Sequence, residues 1–96
     1  MKENTFYAVL SIRTADGFEN FGKFNLGNNK EAASNVFRQL RGSAAVDEEA
    51  MLTIDLVETI NDLPVNVHIL ACTLEELAYN CTIITKEIFK IFNLKK

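Results

Sequence analysis

The second half of the chain repeats the layout of the first half, shifted by 45 residues from Asp16 to Asn61. The turn pair Asp16-Gly17 aligns with Asn61-Asp62, and the helix start at 28–31 aligns with the one at 73–76. Few residues are identical between the halves, so the comparison depends on the shared turns, helix starts and apolar alternation. We predict a single domain over residues 1–96, built as a duplicated ββα-ββα chain with pseudo-repeats 1–45 and 46–96. Independent convergence of the two halves on the same turns and helix starts would give the same fold.

Each half begins with two strand-like runs joined by a tight turn. The runs 5–14 and 18–26 are rich in β-branched and aromatic residues and flank an Asp-Gly pair, which is a strong hairpin signal. With two-residue loops, Ala15 pairs with Phe18 and Ile60 pairs with Leu63. This pairing gives the first hairpin a face that consists of Phe6, Ala8, Leu10, Ile12 and Phe21. It gives the second hairpin one face with Leu52, Ile54 and Leu56, and another with Thr53, Asp55, Val57, Asn66, His68 and Leu70.

A helix follows each hairpin. The first is predicted over about 29–41 and the second over about 74–94, because apolar residues recur there at helical spacing. Each begins with a capping box, in which an N-cap side chain and a glutamate three residues later satisfy backbone N–H groups. Such a box stabilises a helix start by about 1 kcal/mol. The two pairs are Asn28 with Glu31 and Thr73 with Glu76.

The polarity of the strands predicts their order. The first strand is apolar on both faces, which indicates a central position, and Pro64 at the first residue of the fourth strand indicates an edge. We therefore predict an α+β fold with a four-stranded antiparallel sheet in the order 2-1-3-4 and both helices on one face. The uncovered face would carry six apolar residues, namely Phe6, Leu10, Ile12, Phe21, Val57 and Leu70.

An exposed apolar patch of several hundred Å² usually marks an interface. The alternative is that the amino terminus or the 42–50 loop folds over it. The second helix adds Phe89 and Phe92 to the interface or ligand-binding candidates. At its predicted length it extends roughly 31 Å, whereas four strands are under about 20 Å wide. Its last turns would therefore overhang the sheet unless the helix lies along the strands.

The best polar pair in the sequence is Asp55 with His68. The predicted register places them opposite each other, close enough to share a hydrogen bond. The pair is a candidate for catalysis or pH sensing, and the structural interpretation is an ordinary surface pair contributing at most about 1 kcal/mol. No nucleophile is placed beside it, because Cys72 lies about 13 Å from His68 along the strand. The sequence therefore leans against an enzyme.

Composition excludes several classes of protein. The 96 residues are 48% hydrophobic and carry a net charge of -3, which disfavours nucleic acid and anionic membranes as partners. We expect no signal peptide and no membrane span. His and Cys residues lack metal-ligand spacing and the glycines form no phosphate-binding loop, so no metal or cofactor is expected. The two cysteines fit a reduced cytoplasm.

Two hypotheses for function remain open. In the first, the protein is a small cytoplasmic protein-interaction or oligomerisation module that pairs with itself or another protein through the open sheet face. In the second, it binds a small ligand or peptide in a pocket that forms at that face in a dimer. No specific ligand, partner or biological role follows from the residues.

Overall fold

The computed structural model describes residues 4–45 and 49–93. The described elements, in chain order, are β1 (Thr5–Thr14), β2 (Gly17–Gly27), α1 (Lys30–Arg38), β3 (Leu52–Ile60), β4 (Leu63–Cys72) and α2 (Leu74–Asn93). The strands form one antiparallel sheet in the order β2-β1-β3-β4. The predicted α+β class and strand order are confirmed. Each half has the order ββα, and an origin by duplication stays a prediction.

One hydrophobic core lies between the sheet and the two helices. Its members come from all four strands and from both helices, so α1 and α2 pack on the same side of the sheet. The fully enclosed residues at its centre include Ile54, Leu56 and Ile84. The central strands contribute Phe6, Ala8, Leu10, Leu52, Ile54 and Leu56, and the helices contribute Ala33, Val36, Phe37, Leu77 and Ile84. We call the side of the sheet away from the helices the open face.

The first hairpin turns one residue earlier than the sequence predicts. Thr14 pairs with Gly17 across Ala15 and Asp16, whereas the predicted pair was Ala15 with Phe18. Positive φ falls on Gly17, at 115°, as in hairpins whose turn is followed by a glycine bulge. The Thr14 hydroxyl helps to close the turn by donating to the Gly17 carbonyl at 2.9 Å.

Two register shifts then change which residues of the first hairpin share a face. They lie between Phe6 and Tyr7 and between Leu10 and Ser11, and each adds one residue to the β2 side. A one-residue slip moves side chains to the opposite face of a sheet. Phe6 and Leu10 consequently face the helices and are buried in the core, and the prediction that they lie on the uncovered face is wrong.

The second hairpin keeps its predicted turn but also contains a bulge. Ile60 pairs with Leu63, and positive φ at Asn61 and Asp62 fits the tight turn that the sequence predicted. A register shift between Leu56 and Val57 then changes the pairing along the rest of β4. Leu70 lies opposite Ile54 and packs against the core, so its predicted place on the uncovered face is also wrong.

The helices differ in how closely they follow the prediction. The capping box of α2 is confirmed: the Thr73 N–H donates to Glu76 Oε1 at 2.9 Å, and the Glu76 N–H donates to Thr73 Oγ1 at 3.1 Å. In α1 the N-cap is Asn29 rather than Asn28, and Asn29 Oδ1 accepts from the Ala32 N–H. The predicted N-cap is therefore one residue too early, and the residue three positions after the observed cap is Ala32 instead of Glu31.

The helix α2 does not simply overhang the sheet. It begins after the end of β4, and near its far end Ile91 and Phe92 approach Gly27 at the end of β2. The antiparallel order places these two strand ends at opposite ends of the sheet. The helix therefore crosses the sheet diagonally along the strands. This is the orientation for which the length argument predicted no overhang.

The segment after α1 is fixed to the outer edge of β4. Ser43 forms a two-way backbone bridge with Ala71, at 2.9 and 2.8 Å. The fully buried Asn80 of α2 secures the same segment, accepting from the Arg41 N–H at 2.8 Å and donating to the Arg41 carbonyl at 2.7 Å. Gly42 has no room for a side chain, because a Cβ there would lie 2.8 Å from the Ala71 carbonyl oxygen.

Candidate functional site

The open face contains a cleft of about 560 Å³, which we call the Asp55 cleft. The strand registers place its side chains in rows that run across the sheet. One row reads Lys23, Val9, Asp55 and Ile69 from β2 to β4. The next row reads Asn25, Tyr7, Val57 and Asn66. The cleft is lined by Tyr7, Val9, Asn20, Phe21, Gly22, Lys23, Asp55, Val57, Thr59, Pro64 and Asn66.

Asp55 has unused hydrogen-bonding capacity in the middle of this face. Its Oδ2 accepts a bond from Asn66 Nδ2 at 3.3 Å. Its Oδ1 is shielded from solvent and has no hydrogen-bond partner among the described residues. Burial raises the pKa of the Asp55 carboxyl above its ordinary value, and the bond from Asn66 partly opposes that rise. A half-buried carboxylate with an unsatisfied oxygen is energetically unfavourable in the isolated protomer.

Lys23 lies on the same face as Asp55. Its ammonium group is 4.1 Å from the centre of the Tyr7 ring, in a cation–π contact. The side chain therefore extends over the sheet instead of pointing away from the β2 edge. The Asp55 cleft thus combines a cation, a carboxylate, amide groups and an apolar floor of Tyr7, Val9 and Val57.

Hydroxyl groups and Arg13 occupy the other end of the open face. Ser11 and Thr53 pair across the central strands and are both buried, and the Ser11 hydroxyl donates to Asn20 Oδ1 at 2.7 Å. The Arg13 guanidinium stacks on Phe18 at 4.6 Å, and its Nε donates to the Ala50 carbonyl. Arg13 and Phe18 therefore occupy this end of the face beside the backbone of Ala50, while the Asp55 cleft lies at the opposite end.

The predicted pair of Asp55 and His68 does not form. The bulge in β4 places His68 opposite Leu56, on the side of the helices, and places Ile69 opposite Asp55. The His68 ring instead stacks on Phe37 of α1, with centroids 5.7 Å apart. The two side chains therefore lie on opposite faces of the sheet, and the carboxylate–imidazole chemistry that the sequence suggested has no geometric basis.

The remaining candidates lie at separate places. Phe21 is the extra residue of a β2 bulge and lines the Asp55 cleft, and Val57 lies on the cleft floor. Ile12 shares the helix-side face with Leu10 and is partly exposed at the end of the sheet. Phe89 and Phe92 are exposed on α2, away from the open face. Of the eight apolar candidates, the cleft brings together Phe21 and Val57.

Sequence reasoning missed the residues that give the cleft its character. The predicted uncovered face did not include Tyr7 and Val9. Lys23 received no role. One part of this was predictable from the sequence: side chains alternate along β1, so Tyr7 and Val9 share a face in any register. Choosing between the faces required the positions of the bulges.

The described residues offer little for covalent or metal chemistry. Burial raises the pKa of the Cys72 thiol to about 11, and the nearby Glu76 carboxylate adds to the rise, which disfavours the reactive thiolate. Within 4–45 and 49–93 no group of three or more His, Cys, Asp or Glu side chains is placed to hold a metal ion. In the same ranges neither helix is long and apolar enough to cross a membrane.

Comparison with known proteins adds no family. No protein-family model matches the chain, and neither the curated proteins nor the solved structures gave a significant match.

Proposed function

We propose that this protein is a small self-association module whose open face packs against the open face of a second copy. The observation that carries the proposal is the Asp55 cleft: an apolar floor and a half-buried carboxylate lie on the side of the sheet that the helices leave uncovered. Antiparallel sheets commonly pack face to face through such surfaces, with the sheets about 10 Å apart. Packing of this kind would remove Tyr7, Val9 and Phe21 from water.

The test is the mass of the protein in solution, measured by light scattering after size exclusion over a range of concentrations. We expect twice the chain mass at high concentration. Phe21→Glu places a charge in the Asp55 cleft and should give the monomer mass. The matched control is Phe89→Glu, because Phe21 and Phe89 are exposed to similar extents, 53% and 60%, on different surfaces. Leu10→Glu is unsuitable, since Leu10 is a core residue and its replacement would unfold the domain.

The outcomes separate the two exposed surfaces. A dimer that is lost in Phe21→Glu and kept in Phe89→Glu supports assembly through the open face. A dimer that is lost only in Phe89→Glu assigns assembly to α2 and overturns the proposal. A wild-type chain that stays monomeric at every concentration also overturns it.

A second candidate function is the binding of a small ligand or peptide in the Asp55 cleft. The volume of about 560 Å³ and the mixture of apolar floor, carboxylate and amides favour this alternative, because ligand sites combine those features. Native mass spectrometry of the purified protein tests it. A retained small molecule that is absent from Phe21→Glu would support a ligand site, and identical native and denatured masses would count against it.

A further inference from the structure

The open face carries opposite charges at two defined positions of one row. Lys23 and Asp55 are both register partners of Val9, on its two neighbouring strands. Their backbones are thus separated by two strand spacings, roughly 10 Å. Among the described residues neither side chain forms an ion pair within the protomer.

Any surface that packs over this row must neutralise both charges. A charge that is buried without a partner is strongly unfavourable, whereas a pair of opposite charges offsets much of the cost of desolvation. The occupant must therefore present an anion on the Lys23 side and a cation on the Asp55 side of an apolar centre, at backbone positions about 10 Å apart. The open face of a second copy has that pattern.

The positions of the two charges also determine which two-fold axis can relate the two copies. A two-fold axis relating two sheets packed face to face lies in the plane between them. An axis that crosses the strands through this row would place each charge opposite its own copy, and like charges repel. An axis along β1 through Val9 exchanges the two sides of the row. Lys23 then faces the partner's Asp55, and Asp55 faces the partner's Lys23.

Resting on the proposed function, we infer that the partner is a second copy of this chain, related by a two-fold axis along β1 and held in register by two Lys23–Asp55 ion pairs. Val9 meets the partner's Val9 at the centre, and the strands of the two sheets run in nearly the same direction, as in aligned sheet packing. Each pair supplies the Asp55 carboxylate with the positive partner that it lacks in the protomer.

Arg13 does not oppose this arrangement. It is four residues from Val9 along β1, roughly 13 Å away, and its guanidinium is held over Phe18 and bonded to the Ala50 carbonyl. Because aligned sheets cross at about 30°, strands that meet at the centre diverge towards their ends. Contact is therefore concentrated on the rows of Val9 and Tyr7.

The size of the face predicts a weak dimer. Four strands of about nine residues cover roughly 19 by 30 Å, or about 570 Å². A standard interface buries about 800 Å² on each partner. We therefore expect a weak, reversible dimer, in which the loss of the two ion pairs is easily measured because each substitution removes both.

The experiment is a charge exchange followed by sedimentation equilibrium. Lys23→Asp alone places carboxylates opposite carboxylates, and Asp55→Lys alone places ammonium groups opposite each other. Each single variant should dimerise at least tenfold more weakly than the wild type. The double variant K23D/D55K restores both pairs and should dimerise about as well as the wild type. An equimolar mixture of the two single variants should form a heterodimer, because opposite charges meet at both positions.

Asp55 is half-buried, so the fold of Asp55→Lys is first checked by circular dichroism. If it does not fold, Lys23→Asp is compared with K23D/D55N. The second substitution removes one of the facing carboxylates and should recover at least part of the lost affinity. An equal Kd for these two variants would contradict the inferred pairing.

The readouts distinguish failure of this inference from failure of the proposed function. If Phe21→Glu abolishes the dimer while charge reversal leaves the Kd unchanged, the open face is the interface but the inferred axis is wrong. If neither Phe21→Glu nor charge reversal changes the Kd of a dimeric wild type, both the interface and the axis are wrong. A monomeric wild type overturns both.

Discussion

Asp55 holds a carboxylate in the middle of the open face, between Val9 and Ile69 of the neighbouring strands. Burial raises the pKa of this carboxyl in the folded protein. The folded state therefore binds the proton more tightly than the unfolded state does. The resulting stabilisation is fully present below the unfolded pKa and is lost as the pH rises through the folded pKa.

We expect Asp55→Asn to increase the free energy of unfolding of the monomer at pH 7 and to change it less at pH 3. The amide avoids the desolvation of a charge at neutral pH, while at pH 3 the wild-type carboxyl is already largely neutral. Urea unfolding at a protein concentration well below the dimer Kd measures both values. Asp16→Asn, in the exposed first turn, is the control. A gain at pH 3 as large as the gain at pH 7 would contradict the electrostatic explanation.

Asn80 is the second residue whose role depends on burial. Its side-chain amide satisfies both the N–H and the carbonyl of Arg41. Asn80→Ala leaves those backbone groups without these partners and should reduce the free energy of unfolding by about 2–4 kcal/mol. Thr85→Ala, at an exposed position of the same helix, should change it little. Urea unfolding of both variants measures this loss. An equal loss of stability in both would show that the hydrogen bonds from the Asn80 side chain to Arg41 do not contribute.

At the scale of elements, the strand pairing agrees with the prediction from the sequence except at the bulges and in the first turn. The turn at Asn61 and Asp62 was predictable because a two-residue loop of this type needs positive φ at both positions, which Asn and Asp tolerate. The bulges that expel Phe21 and Val67 from regular pairing were not predictable. Both residues lie in apolar alternation that fits either register, so packing against the helices decides between them.

The capping box of α2 was predictable because it depends on two residues three positions apart. Thr73→Ala removes the hydroxyl that accepts the Glu76 N–H and should destabilise the domain by about 1 kcal/mol. Thr73→Ser keeps the hydroxyl and should stay near the wild type. Thermal unfolding followed by circular dichroism compares the two variants. Equal losses in both would attribute the effect to the lost methyl group instead of the cap.

At the scale of the whole molecule, strand order was predictable and the site was not. Apolar residues on both faces of β1 require a central strand, and that argument is independent of register. The Asp55 cleft depends on which face is open, and therefore on the register of both hairpins. The sequence-based patch combined residues from both faces, since Phe6, Leu10 and Leu70 belong to the core and Phe21 and Val57 line the cleft.

The inferred dimer should depend on pH. Pairing with the partner's Lys23 favours the ionised form of Asp55, so the dimer binds fewer protons than two monomers do, and acidification weakens it. We expect the Kd to rise about tenfold between pH 7 and pH 4 at constant ionic strength, as measured by sedimentation. Asp55→Asn is the control that separates the titration of Asp55 from the titration of the other carboxyl groups. It should dimerise more weakly at pH 7 and lose most of this pH dependence.

The attachment of the Arg41–Ser43 segment to α2 and β4 gives the chain its own kinetic reporter. Cys72 Sγ is buried beneath this segment, within 3.5 Å of both the Arg41 carbonyl oxygen and Asn80 Nδ2. Lifting of the segment or unfolding of the domain would expose this sulfur more fully to a thiol reagent. In a Cys81→Ala background, the rate at which Cys72 is labelled would therefore report how often this corner opens, with a cysteine of the protein itself as the reporter.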